Sequence, residues 1–290
     1  MLRGAYAPVE LPDDFGTRAA ALRLVLPPHA VPSHRTALWL HGLEVLGREL
    51  EVTAPRGLHL VARPGLRTSS AALPDSDLVL VGGAPVSSAA RAVVDNARTS
   101  SLVEAVAVGD AVLRSGAAEV ADVQAVLESS AGLRGVRAAR AVVPHLEPRS
   151  ESLMESRLRM RLVLGGVPRP EAQLDVYDAD GHVGRVDLHL DGVVLEYDGR
   201  ESRLDPGVFV AERRRQTRLA ETGLEIRRFT SADCYVRPAA AVCGEVLRAV
   251  AQAAGRDRSR VRTGPDTLRP PRLRRLPTIA EQRAERRPAA

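Results

Sequence analysis

The spacing of apolar residues changes near residue 150 and divides the chain into two parts. In the first part, apolar residues recur every three or four positions within short segments that turn residues separate, a spacing typical of amphipathic helices. The predicted helices cover residues 17–26, 33–47, 87–97, 101–114, 119–129 and 133–146. Short apolar runs at 50–53, 58–61 and 78–81 are typical of strands. We therefore predict a small α+β, mainly helical domain over residues 1–149.

The second part begins with a helix signal and continues with strands. Ser152 and Glu155 form a Ser-x-x-Glu capping box, and Gly165 and Gly166 end the helix that follows. The next elements are a strand at 174–177, a hairpin at 183–198, a helix at 208–222, a strand at 224–229 and a helix from Pro238 to about residue 255. The pattern predicts a mixed sheet with flanking helices over residues 150–255, so the fold class is α/β in the α+β sense.

The hairpin carries the most informative pattern in the chain. Asp191 and Gly192 are a strong signal for a two-residue type I′ turn. The strand before the turn alternates, so apolar residues are predicted on one face and polar residues on the other. The apolar set is Val186, Leu188 and Leu190, and the polar set is Arg185, Asp187 and His189.

The register of this hairpin brings two carboxylates together. A two-residue loop pairs Leu190 with Val193, and it follows that Asp187 faces Glu196. Directly opposed like charges destabilise a sheet. Three arrangements relieve the repulsion: protonation of one carboxyl, neutralisation by a nearby arginine such as Arg185, or a divalent cation that bridges both. The third arrangement predicts a Mg²⁺ or Mn²⁺ site completed by water and a substrate phosphate.

Residues 152–236 resemble the PD-(D/E)xK nuclease superfamily, and more closely its very-short-patch-repair-related family of endonuclease-like domains. The segments that carry the resemblance are 153–159, 185–188, 195–199 and 223–230. The resemblance implies a restriction-endonuclease-like fold and metal-dependent hydrolysis of DNA, with Asp187 and Glu196 as metal ligands. It also implies catalytic roles for Glu155 in the upstream helix and for Asp198 after the hairpin.

Two departures from the family pattern bear on activity. Asp198 stands where the superfamily has its lysine, and all 41 basic residues of the chain are arginine. Residues 200–202 follow the Asp-Gly pair where the family has a histidine. Activation of the attacking water would then rest on the metal or on Gln173, Arg200 or Arg215, and the sequence leaves this choice open.

The arginine-rich helix after the hairpin offers contacts to DNA. We expect Arg214, Arg215 and Arg218, together with Arg200, to bind phosphate groups. The alternative for the helix is a solvated charged face. The alternative for Glu155 is a purely structural role in the capping box.

Positive charge is concentrated at the C-terminal end. The chain carries 41 basic and 36 acidic residues, a net charge of +5. Residues 251–290 hold eleven arginines and four acids, whereas the preceding residues are nearly neutral. Because residues 256–290 also contain five prolines, they are predicted to be a disordered basic arm. Such an arm either contacts phosphate backbones or is a solvated terminus.

Composition excludes several classes of protein. Without lysine there is no Schiff-base or P-loop chemistry, and two cysteines form neither a disulfide framework nor a zinc motif. The sequence contains no signal peptide pattern and no apolar run long enough to span a membrane, so we expect a cytoplasmic protein without membrane contact. His34 and His41 share a predicted helix face without a third metal ligand nearby, and Arg91 and Asp95 are expected to form an exposed i, i+4 pair.

The first part of the chain has a resemblance of its own. Segments 3–6, 33–43 and 86–95 resemble the front half of actinobacterial AbiEi-like antitoxins of type IV toxin–antitoxin systems. This resemblance implies a partner toxin or a homodimer, in addition to DNA.

Three functions follow from the two resemblances. The first is a metal-dependent DNA endonuclease-like enzyme of defence or repair. The second is a non-catalytic DNA-binding or toxin–antitoxin regulatory protein with a decayed nuclease domain. The third is a protein–protein interaction module whose tail makes it soluble.

Overall fold

The computed structural model describes residues 8, 10–12, 15–27, 29–45, 49–58, 60, 64–199, 206–259, 261–265 and 273–285. The chain divides into two compact units: unit 1 comprises Met1–Leu146 and Pro271–Ala290, and unit 2 comprises Glu147–Pro270. Helices and strands occur in both units, so the predicted α+β fold class is confirmed. Within the described ranges, no helix combines the length and the apolar character needed to cross a bilayer.

Unit 1 is mainly helical and contains two small sheets. Its helices before residue 147 are α1 (Phe15–Val25), α2 (His34–Leu40), α3 (Ala89–Thr99), α4 (Leu102–Ser115), α5 (Val120–Ser129) and α6 (Val136–Arg140). Its strands are β1 (Val31–Pro32), β2 (Leu50–Ala54), β3 (Leu66–Ser70), β4 (Leu78–Val81) and β5 (Ala84–Ser87). Strands β1, β2 and β3 form one sheet, and β4 pairs with β5 in an antiparallel hairpin.

Helix α2 ends at Leu40, earlier than the predicted end near residue 47. Gly42 adopts φ 89°, a left-handed conformation that glycine takes at low cost and that ends helices. The side chain of Ser33 does not cap this helix. Its Oγ instead accepts a hydrogen bond from the Thr53 hydroxyl at 2.8 Å, which ties the start of α2 to β2.

Arg91 and Asp95 form the predicted i, i+4 pair, but the expectation that the pair is exposed is wrong. Each of the two residues is only 2% exposed. The Arg91 Nε donates to Asp95 Oδ2 at 2.9 Å, and its Nη1 donates to buried Asp77. The reason is that α3 packs against α2, α4, α5 and α6, so few of its faces reach solvent.

Unit 2 is built on a five-stranded mixed sheet. Its helices are α7 (Leu153–Leu164), α8 (Pro206–Glu221), α9 (Ser231–Tyr235) and α10 (Ala239–Ala253). Its strands are β6 (Glu171–Asp178), β7 (Gly181–Leu190), β8 (Val193–Tyr197), β9 (Glu225–Phe229) and β10 (Arg262–Pro265). The strand order is β10-β6-β7-β8-β9, and only the β8–β9 pair is parallel among these strands.

The predicted hairpin is confirmed in its turn and in its register. Asp191 and Gly192 adopt φ 46° and φ 85°, as a type I′ turn requires. Leu190 pairs with Val193, and Leu188 pairs with Leu195 at the last paired position of the β7–β8 ladder. The hairpin therefore places Asp187 and Glu196 just beyond that last pair.

The expectation that Val186, Leu188 and Leu190 share one face is wrong. Val186 packs in a cluster with Leu219 of α8, whereas Leu188 and Leu190 pack in a second cluster with residues of α7 and α10. The change of face coincides with Gln173 on β6, which has φ 54°. Strands β6 and β7 pair at 172 with 188 and at 174 with 186, whereas Gln173 and Asp187 between them do not form a ladder pair. An irregular backbone at this point therefore turns β7 from one core to the other.

The prediction of a disordered arm at residues 256–290 is wrong for the described part of that segment. Strand β10 pairs with β6 at the edge of the sheet of unit 2. Helix α11 (Ile279–Glu285) belongs to unit 1 and packs against β4. Thr278 pairs with Val79, and Arg283 forms an ion pair with Asp75. The positive composition does not reveal these contacts, because Arg256, Arg275 and Arg283 form ion pairs with acidic residues in the fold.

We predict that a chain that stops before Leu273 loses stability in unit 1. Leu273 donates its backbone N–H to the Ser115 carbonyl at 2.7 Å, and α11 covers part of β4. Loss of these contacts should lower the free energy of unfolding of unit 1 by about 1–3 kcal/mol. Trp39, the single tryptophan of the chain, reports on unit 1 by fluorescence. An unchanged Trp39 unfolding curve would show that the segment is not part of this unit.

Candidate active site

Acidic side chains meet where the first turn of α7 approaches β6 and β7. Glu155 lies at the centre and is only 6% exposed. Its Oε2 accepts a hydrogen bond from the backbone N–H of Glu151 at 2.9 Å and from the side-chain amide of Gln173 at 2.8 Å. The Ser152 hydroxyl accepts the backbone N–H of Glu155 at 3.1 Å. Ser152 therefore caps the helix as predicted, while the Glu155 carboxylate reaches β6.

Asp187 on β7 is the second acid of this cluster. Its Oδ2 accepts the backbone N–H of Tyr197 at 2.8 Å. Burial raises the pKa of Asp187, against the opposing effects of the Tyr197 hydrogen bond and the positive charge of Arg215. Burial and the charge of Asp187 together raise the pKa of Glu155 to about 7. The two acids therefore interact, and Glu155 is partly protonated at neutral pH.

Gln173 links the two acids and is held in an unusual conformation. The residue is buried, and its φ of 54° lies in the left-handed region that non-glycine residues rarely occupy. Its side-chain amide donates to Glu155 Oε2 at 2.8 Å and also lowers the pKa of Asp187. Backbone conformations of this kind cost about 1–3 kcal/mol and cluster at functional sites. The sequence analysis considered Gln173 only as an aid to water activation, whereas the structure gives it the central position between the acids.

Glu196 and Asp187 share an arginine. Arg215 on α8 donates to Glu196 through Nη2 to Oε2 at 3.0 Å and through Nη1 to Oε1 at 3.1 Å. The same arginine lowers the pKa of Asp187. Neutralisation by an arginine, one of the three arrangements expected for the facing acids, is present, with Arg215 in place of Arg185. A Cβ at Gly184 would lie 2.8 Å from Arg215 Cδ, so glycine at this position gives Arg215 its path across β7.

Glu151 and Arg185 complete the cluster. Arg185 Nη2 donates to Glu151 Oε1 at 2.6 Å, so Arg185 lies beside the acids and forms an ion pair at the start of α7. The negative charge of Glu151 raises the pKa of Asp187. Sequence reasoning missed Glu151. The sequence feature that could have identified Glu151 is its position directly before the capping Ser152, because the backbone N–H at this position can donate to the Glu155 side chain.

The donor set fits a divalent cation. Four carboxylates and two guanidinium groups contribute a charge of −2 when all are ionised; the six residues are Glu151, Glu155, Asp187, Glu196, Arg185 and Arg215. Within the described residues, no group of three or more His, Cys, Asp or Glu side chains is arranged to hold a metal. Magnesium is commonly held by one or two carboxylates, with water and substrate oxygens completing the shell. Glu155 and Asp187 match that pattern.

The other predicted site residues lie around this cluster. Asp198 follows β8, and its backbone N–H donates to the Phe229 carbonyl at 2.7 Å. Arg218 forms a bidentate ion pair with Asp178, with Nη2 to Oδ1 at 2.7 Å and Nε to Oδ2 at 3.1 Å. Arg214 is exposed on α8. Arg200 lies outside the described residues.

The two histidines of the first part take part in different local contacts. The Ser33 hydroxyl lies 2.9 Å from His34 Nδ1, and burial lowers the pKa of His34. His41 donates from Nε2 to the Ser87 carbonyl at 2.9 Å. Both rings have structural hydrogen bonds, as the common core role of histidine predicts.

We predict that Glu155→Gln changes how the stability of unit 2 depends on pH. The folded-state pKa of Glu155 is about 7, against an ordinary value of 4.5. Between these values the folded state holds a proton that the unfolded state releases, so stability falls as pH rises from about 4.5 to 7. Glutamine removes this loss. The free energy of unfolding of unit 2 should therefore be about 1–3 kcal/mol higher in the variant than in the natural chain at pH 8, and the difference should be smaller at pH 5.

The measurement is denaturant unfolding of the full chain at several pH values. Three of the four tyrosines, Tyr177, Tyr197 and Tyr235, lie in unit 2, so tyrosine fluorescence mainly follows this unit while Trp39 follows unit 1. The control is Glu171→Gln, an exposed acid on the same strand as Gln173. If the difference in free energy of unfolding between Glu155→Gln and the natural chain did not grow with pH, the raised pKa of Glu155 would be contradicted.

The comparisons with known proteins give a family but no activity. No protein-family model matches the chain. Two proteins of Mycobacterium tuberculosis, uncharacterized protein MT2308 of strain CDC 1551 / Oshkosh and uncharacterized protein Rv2248 of strain ATCC 25618 / H37Rv, are each 30% identical over 233 residues. These alignments cover 77% of this chain and 82% of each relative. The chain therefore belongs to the same family as the mycobacterial proteins MT2308 and Rv2248.

Proposed function

We propose that unit 2 is a metal-dependent DNA endonuclease-like domain that hydrolyses phosphodiester bonds. The observation that carries this proposal is the pair formed by buried Glu155 and half-buried Asp187 beside the left-handed Gln173. Acids that interact away from water are costly for a sequence that only has to fold. The resemblance of residues 152–236 to the PD-(D/E)xK superfamily assigns chemistry to the same hairpin, and a DNA substrate implies action in the cytoplasm.

The residues have separate tasks in this proposal. Asp187 and Glu155 would hold a Mg²⁺ or Mn²⁺ ion, which supplies polarisation of the scissile phosphate and acidification of a nearby water. Gln173 fixes the orientation of both carboxylates.

Arginine placement revises the expected DNA contacts. Arg215 and Arg218 are engaged by Glu196 and Asp178, so exposed Arg214 is the residue of the predicted set most accessible to a phosphate in the described part of α8. A partner toxin or a homodimer stays a prediction.

A second function is favoured by the Arg215–Glu196 pair. This bidentate pair occupies the carboxylate that the resemblance assigns to the metal, and no lysine is available. Both features suit a non-catalytic DNA-binding or toxin–antitoxin regulatory protein with a decayed nuclease domain.

One experiment separates the two functions. The full chain is incubated with supercoiled plasmid and linear duplex DNA in Mg²⁺, Mn²⁺ or a chelator. We expect metal-dependent nicking that Glu155→Gln strongly reduces and that Glu171→Gln leaves unchanged. Retarded migration of DNA without nicking supports the second function, and metal-dependent nicking that Glu155→Gln does not affect would show that the acids are not the site.

A further inference from the structure

Unit 1 contains a pocket that the proposed nuclease chemistry does not use. Its volume of about 330 Å³ falls in the range of small-molecule sites. One wall comes from the start of α3 and another from the start of α5. A third comes from the segment 275–281, which closes one side of the pocket.

The pocket exists because its walls are made of small residues. Six alanines line it: Ala89, Ala90, Ala117, Ala118, Ala125 and Ala280. Val79, Val126 and Leu276 add apolar surface. Close packing of helices normally leaves few voids larger than a water molecule, so a cavity of this size with apolar walls is suited to an apolar ligand body.

The polar groups of the pocket mainly accept hydrogen bonds. Asp122 uses Oδ2 to accept the backbone N–H of Glu119 at 2.8 Å in the capping box of α5, which leaves Oδ1 as an acceptor. His41 Nε2 donates to the Ser87 carbonyl, and burial lowers the pKa of His41. The ring is therefore neutral, with Nδ1 as an acceptor. These acceptors are complementary to a ligand that donates hydrogen bonds.

The charges around the pocket favour a cation. Arg275 donates to both oxygens of Glu281 at 2.9 and 3.3 Å, so these two charges cancel. Asp122 and Glu119 also act on Arg275 electrostatically and help to raise its pKa, so three carboxylates share one guanidinium in this group. The group therefore carries a charge of −2 at neutral pH.

We propose that this pocket binds a small organic cation, an ammonium or guanidinium group attached to an apolar body. The apolar body lies against the alanine walls, and the cationic group lies at Asp122. Because the segment 275–281 forms one wall, the bound ligand also holds this segment on unit 1.

The test uses the full chain and three probes of equal size that differ in charge: benzylamine, benzyl alcohol and benzoate. Binding is measured by ligand-observed NMR or calorimetry. We expect benzylamine to bind about fivefold tighter than benzyl alcohol, the preference that one partly exposed ion pair provides, and benzoate to bind most weakly. Equal affinities for all three probes, or tightest binding of benzoate, would overturn the proposal.

Three variants locate the binding. Ala125→Leu fills the pocket and should abolish benzylamine binding, whereas Ala121→Leu, also exposed on α5 but outside the pocket, should leave it unchanged. Asp122→Asn keeps an oxygen for the capping box and should reduce the preference for benzylamine over benzyl alcohol. Trp39 fluorescence verifies that each variant is folded. Benzylamine binding that Ala125→Leu leaves unchanged in a folded chain contradicts the assigned site.

Discussion

Replacing Asp187 by asparagine is expected to lower metal-dependent DNA cleavage on the order of 100-fold or more without unfolding unit 2. The carboxylate is lost as a metal ligand, but the asparagine Oδ1 still accepts the Tyr197 N–H that Asp187 accepts at 2.8 Å. Because burial raises the pKa of Asp187, the charged form is costly in the folded state. The variant should therefore be as stable as the natural chain, or more stable, at pH 8.

The measurement pairs a plasmid-nicking rate with tyrosine-detected unfolding of the same samples. Asp175→Asn is the matched control, since Asp175 lies on β6 and pairs with exposed His182 at 2.8 Å. If Asp187→Asn loses nicking activity while its stability is unchanged or increased, Asp187 acts in the reaction and is not required for folding. A variant that nicks DNA at the natural rate would exclude Asp187 from the reaction.

Replacing Arg91 by methionine is expected to destabilise unit 1 by about 3–5 kcal/mol, because buried Asp77 loses its arginine and buried Asp95 keeps only Arg98. Arg91 donates to both Asp77 and Asp95, and all three residues are almost fully buried. Burial already raises the pKa of Asp77 while Arg91 is present. Without Arg91 this carboxyl should take up a proton more readily, so the loss of stability should shrink at acid pH.

Unfolding followed by Trp39 fluorescence at pH 5 and pH 8 measures this effect. Arg98→Met is the control, since Arg98 pairs with Asp95 at 2.8 Å but is more exposed than Arg91. The double variant Arg91→Met with Asp77→Asn should recover part of the loss. If Arg91→Met lowered the free energy of unfolding no more than Arg98→Met does, the buried ion pairs of Arg91 would contribute little to the stability of unit 1.

The local signals in the sequence were sufficient for the hairpin and for the start of α7. Asp191 and Gly192 specify a turn geometry, and a two-residue loop then sets the register that Leu188 and Leu195 adopt. The Ser152 cap depends only on neighbouring backbone and was equally accessible. These features were predictable because each is determined within a few residues.

Features that depend on distant packing were not predictable. Glutamine has no preference for the left-handed region, so nothing at position 173 signals that the backbone there turns β7 between two cores. The burial of Arg91 depends on helices that cover α3. Arg215 reaches Glu196 because residue 184 on β7 is glycine, and the pattern along α8 does not reveal this partner.

The most direct test of the proposed site is the binding of Mn²⁺ to the full chain, followed by electron paramagnetic resonance. We expect one Mn²⁺ site per chain, from which Mg²⁺ displaces the bound Mn²⁺. Glu171→Gln should retain this site, and both Asp187→Asn and Glu155→Gln should lose it. A chain that binds no Mn²⁺, or that binds it equally well in both acid variants, would contradict a metal site at Glu155 and Asp187.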